Sequence, residues 1–233
     1  MKLAQLINRA VAPFGLMIVP KRTEPLLYQH EYGSGGYNEY KRIQIRHNKR
    51  KLDAVWADEE TLECIARYLE DSPINLSQGL CHGARNGWEV TWFKKRLGCQ
   101  MIGTDISDTA NGLEDMVQHD FHDVKPDWIG KFSFIYTNSL DQAFAPDRAL
   151  SAWADQLSPG GAIFIEHTMY HSASHASEMD PFGAHPMVMP YLLFEWGRGK
   201  YALADILKAG GQSNRRAVVE DKGQVWVFVV KKI

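Results

Sequence analysis

The first pattern in the chain is helical. Leu3, Leu6, Ile7, Ala10 and Val11 fall on one face, and Pro13 predicts a helix end near Ala12. A short apolar run, Leu16 to Val19, is closed by Pro20 and Pro25, and QHEYGSGGYNEY, ending at Tyr40, has the glycine and tyrosine content of a mobile loop. Helical spacing returns at Leu62, Ile65, Ala66 and Leu69, with Asp58 as N-cap and Glu59 and Glu60 at the positive end of the dipole. Beyond that point the period alternates. Strands are predicted at Ile74 to Gln78, Gln100 to Ile106, Met116 to His119, Phe132 to Tyr136 and Ala162 to Glu166. Helices are predicted at Trp88 to Leu97 and Pro146 to Leu157, the latter with Ala149, Leu150, Trp153 and Leu157 facing inward. Strands alternating with helices predict an α/β fold, a Rossmann-like doubly wound sheet that is mostly parallel and covered on both faces.

After the fifth strand the alternation breaks. A long polar insertion, YHSASHASEMDPFGAHPMVMP, precedes an expected helix from Tyr201 to Lys208. Segments of this length inside a compact domain carry function or stay disordered. RRAVVED and QVWVFVVKK, joined at Lys222 and Gly223, read as a C-terminal hairpin that closes the sheet antiparallel.

Composition narrows the picture in only a few places. The 233 residues are 45% hydrophobic, enough for a sizeable core, and the formal net charge of -2 gives no global attraction to nucleic acid or anionic membrane. A local patch, Lys41, Arg42, Arg46, Lys49, Arg50 and Lys51, reads either as a solvated helical face or as a contact for an anionic substrate, phosphate or RNA. Cys64, Cys81 and Cys99 are too few and too irregular for a disulfide framework or structural zinc, so a reducing, cytoplasmic setting is expected. Gln5, Asn8 and Arg9 interrupt any signal-peptide core, and no run approaches the roughly 18 apolar residues of a membrane span.

The candidate chemistry sits between Ile74 and Ser107. A glycine-bearing turn between strand and helix, with Gly79, Gly83 and Gly87, lets backbone approach a ligand closely. Asp105 ends the next strand, where a carboxylate can accept both hydroxyls of a ribose. A nicotinamide site would call for G-x-G-x-x-G around a pyrophosphate, whereas this turn reads GLCHGARNG, with Cys81 and Arg85 in the way. S-adenosyl-L-methionine has no phosphate and tolerates the thinner glycine pattern.

The series CHGARNGWE (Cys81 to Glu89), GTDIS (Gly103 to Ser107), HDFHD (His119 to Asp123), FIYTNSLDQAF (Phe134 to Phe144) and LSPGG (Leu157 to Gly161) resembles the class I S-adenosylmethionine-dependent methyltransferases. In particular it resembles members whose first loop reads C-x-G-A-R-x-G-x-E. The resemblance covers about Ile74 to Thr168. It implies that Gly79, His82 and Gly83 lie along the methionine moiety, Asp105 holds the ribose and Ile106 packs on the adenine. It implies too that Asp120 accepts from the adenine amino group with Phe121 beside it, and that Asn138 faces the methionine end. The chain departs from the family in carrying Ser77 or Gln78 where an acidic residue is usual near the end of the first strand. Residues 71–233 would then form the S-adenosylmethionine-binding domain, and residues 1–70 a helical and loop extension on the substrate side.

Transfer to a hydroxyl needs a proton acceptor near the methyl group, and ligands in open parallel sheets bind beyond the carboxyl ends of the strands. His167 or Asp141 is therefore the expected base, acting toward oxygen of a small-molecule, sugar or glycan acceptor. His167, His171, His175 and His185 with Asp141, Glu166 and Asp180 also present a possible divalent-metal set, but the reading adopted is a flexible histidine-rich lid with no metal. Two alternatives stay open. One is a non-catalytic S-adenosylmethionine-binding or interaction module using Trp88, Trp92 or the tyrosine loop; the other is an RNA methyltransferase using residues 41–51.

Overall fold

The computed structural model describes residues 7, 12–14, 25–209 and 224–233. Apart from Ile7 and residues 12–14, the expected N-terminal helix lies outside the described residues, as does the RRAVVED strand. Strands β2 (Gln78–His82), β3 (Gln100–Asp105), β4 (Met116–Gln118), β5 (Phe132–Thr137), β6 (Leu157–His167), β8 (Tyr201–Ala209) and β9 (Val225–Lys232) form one seven-stranded sheet, in the order β4-β3-β2-β5-β6-β9-β8. The first five in that order pair in parallel; β9 runs antiparallel to both β6 and β8. This is the doubly wound, mostly parallel sheet with an antiparallel end that the alternating pattern predicts. The strand order reverses between β2 and β5, which opens a crevice beyond their carboxyl ends.

Helices cover the two faces. On one, α4 (Pro146–Gln156) sets Leu150 and Trp153 over Leu80, Ile135 and Ile163. On the other, α2 (Glu59–Glu70) and α3 (Trp88–Leu97) set Leu62, Ile65 and Phe93 over Phe134, Tyr136 and Phe164. The α2 start is the expected one: the Thr61 N–H donates to Asp58 Oδ1 at 2.9 Å, satisfying an end group that the helix itself leaves open.

Three expectations need correction. The first strand lies four residues further on than its hydrophobic pattern suggests, so that Gly79 is strand and the turn begins at Gly83. A Cβ on Gly79 would stand 2.5 Å from both Met101 Sδ and the Phe134 ring, so the missing side chain is the space these neighbours fill. Tyr201–Ala209 is a strand, not a helix. Its period of two is disguised by a register shift between Leu203 and Asp205, and β9, buried along most of its length, requires a partner on its second edge. Finally, the tyrosine-rich loop is largely helical: α1 (Gly36–Arg50) takes in both Tyr37 to Tyr40 and the basic stretch.

The insertion after β6 contains β7 (Phe182–Ala184), paired antiparallel with β1 (Leu27–Gln29), and then α5 (Met189–Gly197). Helix α1 is tied to the carboxyl-end loops by side chains. The Tyr40 hydroxyl donates to the Gln142 carbonyl at 3.0 Å, Gln44 Nε2 to the Met179 carbonyl at 2.9 Å, and the Thr109 hydroxyl to Asn48 Oδ1 at 2.9 Å. The N-terminal segment and the insertion thus meet over the crevice. Among the described residues no helix is long and apolar enough to cross a membrane.

Candidate active site

Two adjoining hollows occupy the crevice. A recess of about 50 Å³ is lined by Tyr40, Gln44, His47 and Asn48 of α1 and by Gly83, Asp105, Ile106, Asp120 and Phe121. A cavity of about 260 Å³ lies beside it, lined by the loop 51–57, Gly83 to Asn86, Glu89, Asn138 to Gln142, Glu166, Thr168, Tyr170, His171, His175 and Asp180. Lys51, Gly83, Arg85, Gln142 and Asp180 border both.

Gly83 makes the junction possible. Its φ of +71° is a left-handed conformation, and a Cβ there would stand 2.6 Å from the Ser139 side chain, so the β2 and β5 turns can touch only at a glycine. Arg85 follows with φ +43°, also left-handed, and its guanidinium enters the larger cavity beside Trp56, with Cζ 5.8 Å from the ring centre.

In the recess, Asp105 accepts from the Ser107 N–H at 2.8 Å; burial raises its pKa while that bond and the Arg85 charge oppose the rise. Asp120 is already engaged. Its Oδ1 accepts from His122 Nδ1 at 2.8 Å and its Oδ2 from the Tyr37 hydroxyl at 2.5 Å. Burial works against its charge, but these bonds hold its carboxyl down at about 2. His122 in turn accepts at Nε2 from the Phe144 and Ala145 N–H groups, at 3.1 and 3.3 Å, so the HDFHD segment pins both α1 and the loop after β5.

The larger cavity is dominated by carboxyl groups. Burial pushes Glu89, Asp141 and Asp180 up to about 7 each. Glu166 Oε2 accepts from the Tyr136 hydroxyl at 2.7 Å. Asp141 Oδ1 is buried with no hydrogen-bond partner among the described residues, while its Oδ2 lies 3.9 Å from His171 Nε2. His171 Nδ1 accepts from the Thr168 N–H at 3.3 Å, which leaves its proton on the Nε2 that faces Asp141.

The ten residues singled out from sequence divide cleanly. Gly83, Asp105, Ile106, Asp120, Phe121, Asn138 and Asp141 line the two hollows; Gly79, His82 and His167 line neither. His82 is core: its Nε2–H donates to Gln156 Oε1 at 2.8 Å, its Nδ1 accepts from Thr104 at 2.9 Å, its ring stacks on Trp153, and burial drives its pKa to about 3. His167 donates from Nε2 to the Ala184 carbonyl at 2.9 Å, fastening β7 to β6, and burial together with neighbouring His171 takes it to about 3. Sequence reasoning missed Glu89 and the wall formed by residues 51–57. Glu89 closes the quoted CHGARNGWE motif in the first turn of the helix that follows the glycine turn, and that position was a usable signal. Among the described residues no group of three or more His, Cys, Asp or Glu side chains is placed to hold a metal ion.

The chain has the fold of the class I S-adenosyl-L-methionine-dependent methyltransferases. One solved structure of this fold is the Burkholderia thailandensis 1,6-didemethyltoxoflavin-N1-methyltransferase with bound 1,6-didemethyltoxoflavin and S-adenosylhomocysteine. It is 13% identical with a TM-score of 0.63, over 92% of this chain and 98% of that one. The [4+2]-cyclase SpnF is similar at 12% identity and a TM-score of 0.57, over 88% and 99% of the two chains. A TehB-like S-adenosylmethionine-dependent methyltransferase from Corynebacterium glutamicum is similar at 16% and 0.53, over 81% and 96%. At these identities the likeness is one of fold. Neither a protein-family model nor a curated protein sequence matches the chain.

Proposed function

We propose that the protein is an S-adenosyl-L-methionine-dependent methyltransferase acting at oxygen of a small molecule or sugar. The observation that carries this reading is Asp141, a largely buried carboxyl whose Oδ1 has no hydrogen-bond partner among the described residues, in a cavity that adjoins the Asp105 recess. The residues fit the donor: Asp105 ends β3 where a ribose would be held, Gly83 leaves the turn open, and Ile106 and Phe121 offer apolar walls to an adenine. Asp120 fits less simply, since an adenine amino group would share a carboxylate that already accepts from Tyr37 and His122. When bound, the donor supplies a methyl group on a positively charged sulfur. The chain's residues have to align the acceptor, exclude water and take one proton.

Asp141 takes the role of proton acceptor in this reading, with His171 beside it, and His167 is a positioning residue that fixes β7. The acceptor oxygen forms a bond to the methyl carbon, the sulfur–carbon bond breaks with its electron pair left on sulfur, and the hydroxyl proton passes to Asp141. In this reading Gly79 and His82 belong to the core supporting the turn, and residues 25–70 with the insertion to the substrate side. The basic stretch lends the RNA reading little: Arg42 pairs with Glu39 at 2.6 Å, Lys49 with Asp108 at 2.8 Å and Arg46 with Glu178 at 3.7 Å.

Asp141→Asn tests the assignment. We expect kcat to fall about 10²- to 10⁴-fold, the range of general-base catalysis, with donor binding kept. The unfolding midpoint should be at or above that of the unaltered protein, because a carboxyl that burial disfavours has been removed. The unaltered enzyme should lose rate about tenfold per pH unit below about 7 and level off above it, as the cavity carboxyls titrate together. A rate for Asp141→Asn within a few-fold of normal, measured on an acceptor the unaltered enzyme turns over, would remove Asp141 from the chemistry. Donor binding with no turnover on any acceptor would favour the non-catalytic reading instead.

A further inference from the structure

Gly79 and His82 lie in the core, so the charged end of the donor's methionine moiety lacks a partner among the residues expected to line it. Arg85 stands where one is needed. It borders both the Asp105 recess and the larger cavity, and its own backbone N–H helps to hold the charged form of Asp105. Its φ of +43° is left-handed, a conformation that costs a non-glycine residue free energy and that recurs at ligand clamps.

The guanidinium is short of partners. Among the described residues it makes no ion pair, and its one hydrogen bond is long, from Nη1 to the Ala54 carbonyl at 3.4 Å. Burial disfavours its charge, and Asp105 and Glu89 attract it only through space. The Trp56 ring, centred 5.8 Å from Cζ, attracts the cation without occupying an N–H group. Lys51, just past the end of α1, brings Nζ to 5.4 Å from the same ring centre and likewise makes no ion pair among the described residues. Two cations that meet at one ring with N–H groups free suit a carboxylate, to which a guanidinium gives two parallel hydrogen bonds.

The same turn reaches the acceptor side. Asn86 Nδ2 donates to the Leu52 carbonyl at 2.9 Å and Arg85 to that of Ala54, so the side chain that faces the donor also touches the 51–57 wall of the larger cavity. We propose that Arg85, with Lys51, holds the carboxylate of the donor, and that this contact fixes residues 51–57 as the wall against which the acceptor binds. This rests on the methyltransferase reading and deepens it. The donor then completes part of the acceptor site before the acceptor arrives.

The test compares two ligands that share an adenosine and a thioether: S-adenosylhomocysteine, which carries the amino-acid tail, and 5′-methylthioadenosine, which does not. Calorimetric titration of the full chain should show Arg85→Gln weakening S-adenosylhomocysteine about 10- to 100-fold, the range of a charge-assisted hydrogen bond, and methylthioadenosine less than about threefold. Arg85→Lys, which keeps the charge and loses the planar fork, should fall between Arg85→Gln and the unaltered protein. At saturation, S-adenosylhomocysteine should slow amide exchange across residues 52–57 of the unaltered protein, and methylthioadenosine should not. Lys51→Ala is the second variant should Arg85→Gln fail to fold; it should weaken S-adenosylhomocysteine alone, by about three- to tenfold. In a folded variant, S-adenosylhomocysteine binding that is unaffected, or that falls no more than methylthioadenosine binding, overturns the inference and leaves the methyltransferase reading standing. Protection of residues 52–57 that does not depend on the tail overturns it likewise. If the unaltered protein binds neither ligand, the underlying reading fails and the inference falls with it.

Discussion

Gly83 and Gly79 look alike in the sequence and do different work. At Gly83 the left-handed φ and the 2.6 Å approach to Ser139 both act on the loop that borders the two hollows. Gly83→Ala should therefore cost about 1–3 kcal/mol of stability and also weaken S-adenosylhomocysteine binding. Gly79→Ala overpacks the strand against Met101 and Phe134, at a similar cost of about 1–3 kcal/mol, and should leave the affinity of the folded protein unchanged. Chemical denaturation paired with a binding titration separates the two; equal loss of affinity in both variants would refute the distinction. Histidines follow the same logic. His82 and His167 are hydrogen-bonded core residues, whereas His171, just beyond the end of β6, is the one beside Asp141.

At the scale of elements, α1 is the part whose position over the recess depends most on single contacts. The Tyr37 hydroxyl bond to Asp120 joins it to the segment after β4. Tyr37→Phe removes that donor and should cost about 1–3 kcal/mol in the docking of α1, read as faster amide exchange across residues 36–50 with the sheet unaffected. Unchanged exchange would mean that Tyr40, Gln44 and Asn48 hold the helix without it.

The same scale shows what the sequence could reveal. The β5 run FSFIYT and the α4 stripe of Ala149, Leu150 and Trp153 are buried continuously or on one face, so their periods were legible. GLCH was not legible as a strand because a glycine and a buried neutral histidine imitate a turn, and YALADILKA was not because a register shift breaks its alternation. In both cases long-range pairing overrides the local signal. Asp105, Asp120 and Asp141 could be placed at strand ends from sequence, but Tyr37 and Asp180 reach the crevice from segments far away in the chain, and only tertiary structure brings them there.

Across the whole molecule, the raised carboxyls make stability depend on pH in an unusual direction. Glu89, Asp141 and Asp180 have folded-state values near 7, above their ordinary ones, so the folded protein binds more protons than the unfolded chain between about pH 4 and 7. Their effect is a loss of stability as pH rises through that window, constant above it. Asp120 and Glu63, held near 2, act the other way: their contribution is present above about pH 4 and is lost as pH falls towards 2. His82 and His167, held near 3 by burial, act against these carboxyls up to about pH 6.5, so thermal unfolding should depend only weakly on pH between about 4 and 6 and should not rise further from pH 6 to 8. A midpoint that climbs steadily from pH 5 to 8 would contradict the burial of these three groups. Because a bound cation favours their charged forms, the loss of stability they cause should shrink in the presence of S-adenosyl-L-methionine.

The central claim is that the crevice at the β2–β5 reversal binds S-adenosyl-L-methionine through Asp105. Isothermal titration calorimetry of S-adenosylhomocysteine and S-adenosyl-L-methionine against the unaltered protein and Asp105→Ala tests it most directly. One site per chain, weakened about 10- to 100-fold in the variant, is the predicted result, the size of a charge-assisted hydrogen bond to a ribose hydroxyl. Absence of binding by the unaltered protein, or binding that Asp105→Ala leaves intact, would contradict it.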